Sequence, residues 1–265
     1  MEESMAELLA LNLPARRNER LRRLVARLDS DVELHTLWQC ANLNAVDRAG
    51  ITDHGEVHIK IVANIALKLA RLLIEAEVPM GVVRDHGLTT DDAEVIVVLA
   101  ACLHDLGISI HRSNHEQYSL FLADRKARQL LDGLYDLRER TIIIAETLHA
   151  VIAHRWDVAC LTAEAGIVKV ADALDITEGR SRIPFEAGKT DIHSISALAI
   201  DRVDILKGEE VPVAIEISMN NSAGIFQVDE LLKRKLRNSS IAPYVQVLAR
   251  IEGETEKRIL EFYTI

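Results

Sequence analysis

With 265 residues, 49% of them hydrophobic, the chain is long enough to bury one large core, or a core with a smaller module beside it. Its formal net charge of −10 argues against a protein that coats nucleic-acid backbones and leaves only a local basic patch for such a role. No apolar run is long enough to cross a bilayer. The start Met1-Glu2-Glu3 has neither the basic region nor the apolar stretch of a signal peptide, so a soluble cytoplasmic protein without a membrane partner is expected. Cys40, Cys102 and Cys160 lie far apart in mostly apolar helical settings, without Cys-x-x-Cys spacing, and read as reduced core residues.

Residues 1 to 50 read as helical throughout and as packing material, with Leu21, Leu24, Val25 and Leu28 at helical spacing among arginines. The Arg16-Arg17 and Arg22-Arg23 pairs can bind phosphate, although a charged outer helix face is the better account of them. A second helix from about Asp31 to Asp47 carries Leu34, Leu37, Trp38, Cys40, Ala41 and Leu43, and Gly50 breaks it. Asp53, with Glu56 three residues on, predicts an N-cap and its reciprocal partner. In that register His54 and His58 share one face above the stripe of Ile61, Val62, Ile65, Ala66, Leu69 and Leu73. A histidine pair so spaced can chelate a metal, and it can also arise without one.

Pro79, Gly81 and Gly87 mark a loop, and Thr89-Thr90-Asp91-Asp92 offers caps for the helix that ends in Leu99-Ala100-Ala101-Cys102-Leu103-His104-Asp105-Leu106-Gly107. An imidazole and a carboxylate at the end of so apolar a segment need a partner, and either a divalent metal or a His-Asp hydrogen bond satisfies them. Ser113-Asn114-His115-Glu116 has the form of a capping box, which places His115 in the first turn of the next helix. The positive end of the helix dipole keeps a ring there neutral and its lone pair available. His111 and Arg112, in the preceding loop, are candidates for substrate contact or are simply solvated. Arg138 to His154 forms a further helix, on which His149 and His154 are about 140° apart, so they cannot both point squarely at one site. The helix from Leu161 to Thr177 places Asp172 among apolar residues, where a carboxylate requires a cation or several donors.

After Gly179 the pattern changes. Ile195, Ala197 and Ala199, then Val211, Val213, Ile215 and Ile217, alternate with polar residues about Gly208-Glu209-Glu210, which reads as a β-hairpin. Val228 to Leu236 reads as a short helix, and Tyr244 to Ile251 with Lys257 to Tyr263 as a second strand pair about Gly253. The chain is therefore expected to be mostly α: a helical domain over 1–185, with the helices of 1–50 packed on it, then a small β-β-α-β-β module over 190–265. The boundary should fall near Arg182 to Asp191.

His58, His104-Asp105 and Asp172, in that order on successive helices, resemble the H…HD…D signature of the HD-domain metal-dependent phosphohydrolases. The local contexts are similar too: His58-Ile59-Lys60-Ile61-Val62, Leu103-His104-Asp105-Leu106-Gly107 and Val170-Ala171-Asp172-Ala173-Leu174. The resemblance covers roughly residues 50 to 180 and implies an HD-domain helical bundle, with the small C-terminal α+β module outside it. Many members carry two further histidines and hold two metals; His115 and His154 look like these, and Asp105 resembles the residue that bridges the metals. The implied ligand set is His58, His104, Asp105, His115, His154 and Asp172. Such a set suits iron, manganese, zinc, cobalt or nickel, with magnesium as a further option.

The resemblance implies metal-assisted hydrolysis of a phosphate ester or anhydride, with a nucleotide as the expected small phosphorylated substrate. Two adjacent metals can supply nucleophile, charge stabilisation and in-line geometry. Asp105 and Lys169 are the candidate catalytic residues, Lys169 because it should flank the face of Asp172 and bind phosphate, or else snorkel to solvent. His54, His111, Arg112, His149, Asp175, Arg180 and Arg182 are expected around the ligands or on the substrate side. A di-iron oxygenase and a non-catalytic regulatory protein that binds a ligand are the rival readings. The hairpin edges of the C-terminal module want covering, which favours a homodimer through it.

Overall fold

The computed structural model describes residues 9–176, 196, 198–252 and 262–264. Its axis is the helix α5 (Thr90–Leu103), whose residues from Asp92 to Leu103 are all buried. A helix that is apolar all round must be enclosed on every side. Here α3 (Glu56–Glu75), α7 (Leu137–Ala153) and α8 (Ala163–Ala173) pack against it, with α1 (Glu19–Ser30), α4 (Gly81–His86) and α6 (His115–Leu130) at its edges. Thr89 caps α5 as expected, its N–H and hydroxyl both donating to Asp92 Oδ2, at 2.9 and 2.7 Å. At the other end of α5 the Cys102 carbonyl, an orphan of the last turn, accepts from Trp38 Nε1 at 2.9 Å. Trp38 lies on α2 (Val32–Asn42), so this bond ties the N-terminal helices to the end of α5 that carries His104 and Asp105.

The N-terminal segment is less helical than expected. The described residues 9–18 precede α1 without helix, because Asn12 sits at φ 55° and Pro14 has no backbone donor. Leu21, Leu24, Val25 and Leu28 form the buried face of α1 as their spacing predicts. Asp31 separates α1 from α2 by accepting from Leu34 N, and α2 runs on into a π-helical turn over Leu43–Arg48. The cysteine expectation holds for Cys102, which is buried; Cys40 is exposed and Cys160 only half-buried, and all three are free thiols.

The C-terminal module is α+β, as expected. Strands β1 (Ile200–Lys207) and β2 (Val213–Met219) form the antiparallel hairpin, with Ile205 opposite Ile215. β3 (Val245–Ile251) and β4 (Phe262–Thr264) form the second antiparallel pair. The two pairs share one sheet, because β2 and β3 pair in parallel from Val213 with Val245 to Met219 with Ile251. Parallel neighbours need a crossover. The helical stretch Gly224–Phe226, Gln227–Lys233 and Arg234–Arg237, here α9, provides it and buries Val228, Leu232 and Leu236. The first strand begins at Ile200, with Ala199 in the turn before it rather than in the strand as expected; Ile195, Ala197 and the expected boundary from Arg182 to Asp191 lie outside the described residues. Among the described residues no helix is long and apolar enough to cross a membrane.

Candidate metal centre

Helix ends deliver the polar side chains to one place. His58 sits in the first turn of α3, His104 and Asp105 follow the last turn of α5, and His115 opens α6. His154 follows α7, and Asp172 lies in the last turn of α8. Gly107 makes the approach of α6 close enough: a Cβ there would stand 2.0 Å from the His115 carbonyl oxygen and 2.5 Å from Ser119 N. Gly107 N donates to Ser119 Oγ at 2.8 Å, which pins the same contact. The cap before His115 differs from the expected box. Asn114 holds the N-cap position at φ 59°, a left-handed conformation that asparagine tolerates, and no side-chain cap bond forms.

All four rings present Nε2 inward and have Nδ1 tied to oxygen. His104 Nδ1 lies 2.8 Å from Ala101 O, His154 Nδ1 2.5 Å from Val151 O, and His115 Nδ1 3.1 Å from Arg112 O, each a carbonyl three residues back. His58 Nδ1 lies 2.6 Å from Asp175 Oδ2. Carbonyl and carboxylate oxygens accept, so for His58, His104 and His154 the Nδ1–H tautomer is the one that satisfies these bonds, and it leaves the Nε2 lone pair for a cation.

Asp105 divides these rings into two pairs. Its Oδ2 is 3.4 Å from His58 Nε2 and 3.2 Å from His104 Nε2, while its Oδ1 is 3.0 Å from His115 Nε2 and 3.7 Å from His154 Nε2. Asp172 Oδ1 adds to the first pair, 3.6 Å from His58 Nε2 and 3.8 Å from His104 Nε2. Within the pairs the Nε2 atoms face each other at 3.4 Å (His58 and His104) and 3.3 Å (His115 and His154). Two lone pairs at that separation repel unless a proton or a metal ion lies between them. The ligand atoms of His58, His104 and Asp105, of His104, His154 and Asp172, and of Asp105, His115 and His154 each lie within 4.8 Å of one another. The donor set therefore fits divalent metal ions.

The electrostatics agree. Burial pulls the His104 imidazolium down, but Asp105 and Asp172 outweigh it and push its pKa up to about 10. Burial raises Asp105 and Asp172, yet His104 and its neighbours hold Asp105, and Lys235 and the rings hold Asp172, well below the usual carboxylate range. Burial and the His104 charge keep His154 neutral. The cluster thus favours positive charge: without a metal ion it is carried as a proton on His104, which a metal ion at Nε2 would displace.

A family model described as HD domain matches residues 55–177, a span that contains every residue of this cluster. The uncharacterized protein MJ1020 of Methanocaldococcus jannaschii is 41% identical over 233 residues, covering 88% of this chain and 89% of that protein. The chain belongs to the HD-domain family. The HD pair is His104-Asp105.

The other candidate residues around the HD cluster differ in what they touch. Asp175 bonds His58. The His54 ring lies 5.3 Å from that of His58, its Nδ1 2.6 Å from Thr52 O. The helix register that was to put both on one face is not formed: α3 is capped at Gly55, and Asp53 Oδ1 accepts from Gly55 N and His58 N, so His54 precedes the helix. Arg112 NH1 is 2.7 Å from His115 Nδ1, an arrangement that excludes the Nδ1–H tautomer, so metal-ready His115 requires this guanidinium to turn outward. His111 is turned to its own loop, where Nδ1 accepts from Ser113 N. Two expectations are corrected. His149 does not join the cluster; its Nε2 accepts from Leu161 N at 3.0 Å, and burial keeps the ring neutral. Lys169 is not a phosphate-binding residue, because its buried ammonium donates to the carbonyls of Val158 and Asn238. Arg180 and Arg182 lie outside the described residues. Sequence reasoning missed Lys235, whose Nζ donates to Asp172 Oδ2. In Leu232-Lys233-Arg234-Lys235-Leu236 it looks like any solvated lysine of a basic helix.

Proposed function

We propose that the protein is a metal-dependent phosphohydrolase that cleaves a phosphate ester or anhydride of a small molecule, with nucleotides as the substrate class. The observation that carries this reading is Asp105, each of whose oxygens faces a different pair of histidines. A carboxylate so placed suits two cations held side by side, one by His58, His104, Asp172 and Asp105, the other by His115, His154 and Asp105. Metal ions held there would supply activation of water at neutral pH and charge neutralisation for the phosphoryl oxygens.

The chain's own residues set the conditions. The carbonyls of Ala101 and Val151 and the carboxylate of Asp175 fix the rings of His104, His154 and His58, so these donors need little rearrangement on binding, whereas His115 is freed by the outward turn of Arg112. Burial of His58, His104 and Asp105 keeps bulk water from competing for the same positions. Arg112, at the edge by His115, is placed to turn toward an anionic substrate, and a guanidinium suits phosphate oxygens.

The test combines elemental analysis of the purified full chain with a phosphate-release screen across nucleoside phosphates, dinucleoside polyphosphates and cyclic nucleotides. About two equivalents of a first-row metal and metal-dependent release from a member of this set are expected. Full metal loading with no hydrolysis of any of them, or with substrate oxidation that requires oxygen, would overturn the reading.

A further inference from the structure

The metal-centre cluster is sealed on most sides. The side chains of His58 and His104 are 0% exposed, that of His154 3%, Asp105 4% and His115 7%. Asp172, at 12%, is the most open of these side chains, and the group beside it is Lys235, at 20%. Asp172 turns Oδ1 toward His58 and His104 and Oδ2 toward the Lys235 ammonium, so one carboxylate joins the helical site to α9 of the C-terminal module.

The module is pinned on either side of that lysine. Before it, the Arg234 guanidinium lies 4.5 Å from the centre of the Trp156 ring. After it, Asn238 Nδ2 donates to Trp156 O at 2.8 Å, the Asn238 carbonyl accepts from buried Lys169, and Ser240 Oγ donates to Thr162 O. Gly166 on α8 admits this strand of chain, since a Cβ there would meet Ser240 Oγ at 2.5 Å. These contacts hold the short stretch from Arg234 to Ser240 against α8 and the loop before it. Lys169 thus belongs to the scaffold that positions Lys235.

We propose that Lys235 is a substrate-binding residue, with which the C-terminal module completes the site by presenting an ammonium to the phosphoryl oxygens at its open edge. The inference rests on the phosphohydrolase reading. An ammonium has three N–H groups, and Asp172 Oδ2 takes one of them. Among the described residues Asp172 is the hydrogen-bond partner of Lys235, so the remaining N–H groups can add charge-assisted hydrogen bonds to an anion that enters beside Asp172. The ligand class is a phosphate dianion or a terminal phosphate of an anhydride.

The experiment titrates inorganic phosphate into the metal-loaded full chain by calorimetry for the wild type, Lys235→Met, Lys235→Gln and Lys235→Arg, with metal content and thermal unfolding measured on each. Lys235→Gln keeps a polar stem, so a folding failure of the methionine variant does not decide the matter. The expected result is wild-type metal content in every variant, phosphate bound at least about tenfold more weakly by Met and Gln, and substantial recovery in Arg. Unchanged phosphate affinity in Met and Gln would overturn the proposal. So would parallel loss of metal and phosphate, which would make Lys235 a support for Asp172. Phosphate binding that depends on Lys235, in a protein that hydrolyses no phosphate compound, would uphold the subsite and sink the phosphohydrolase reading. A wild type that binds no phosphate would sink both.

Discussion

Asp175 Oδ2 lies 2.6 Å from His58 Nδ1, so a carboxylate three residues beyond Asp172 fixes the tautomer of a histidine at the start of α3. Removing it leaves a buried Nδ1–H unpaired and lets the ring flip. Asp175→Ala should weaken metal binding about 10- to 100-fold, with Asp175→Asn intermediate because its amide oxygen can still accept. Metal titration of the apo-protein checks this; wild-type affinity in Asp175→Ala would show that the ring is held by packing alone.

Gly107→Ala should damage the site from the His115 side. The added methyl would overlap the His115 carbonyl, so the start of α6 must move. A loss of about 1–3 kcal/mol is expected from overpacking. The metal held through His115 and His154 should be lost before the one held through His58 and His104. Metal equivalents falling from two toward one, with a lowered melting temperature, is the expected pair of results.

His149→Ala and Asp105→Ala should separate cleanly. Loss of the His149 acceptor leaves the exposed Leu161 N to water and should lower stability by no more than about 1 kcal/mol without changing metal stoichiometry. Asp105→Ala removes the group shared by both histidine pairs and should abolish tight metal binding. Elemental analysis of the two purified variants would refute this division if their metal contents were alike.

Asp92 gives a pH dependence remote from the metal centre. Burial raises its pKa, but Thr89, Arg20 and Tyr135 outweigh it by donating to its carboxylate, at 2.7 to 2.9 Å, and hold it below its ordinary value. A lowered folded-state pKa means that this stabilisation is complete above the ordinary carboxylate range, begins to fall within it and is lost as the pH drops through the lowered folded-state value. Asp92→Asn should therefore destabilise the protein by about 1–3 kcal/mol near neutral pH, and the difference from wild type should shrink in acid. Denaturation midpoints measured from neutral pH down to about pH 3 test the sign; a gap that widens in acid would contradict it.

Chelation should lower stability as well, since a ligand that binds only the folded state stabilises it by about 2.7 kcal/mol at a hundred times its dissociation constant. A melting temperature indifferent to EDTA would mean that no tight metal had been present.

Legible from residue order alone were the helix that must be buried, the succession of histidines and aspartates, and the switch to strand alternation. Each of these is local: an apolar run such as Leu99 to Leu103 has to be enclosed, and Val213, Ile215 and Ile217 alternate because strands present opposite faces in turn. Angular spacing also warned that His149 and His154 could not share a target, without saying which would reach it. The packing of α7 against α5 and α8 turns His154 to the cluster. The tertiary structure also chose between two lysines. Lys169 is a helical turn from Asp172 and was the obvious candidate, yet it points to the Val158 and Asn238 carbonyls, while Lys235 reaches Asp172 across a separation of 63 residues. Periodicity tells which face of a helix a side chain occupies, but what that face meets depends on how elements distant in the chain pack together. The parallel pairing of β2 with β3, which joins two hairpin-like pairs into one sheet and sets α9 against α8, lies beyond local pattern for the same reason.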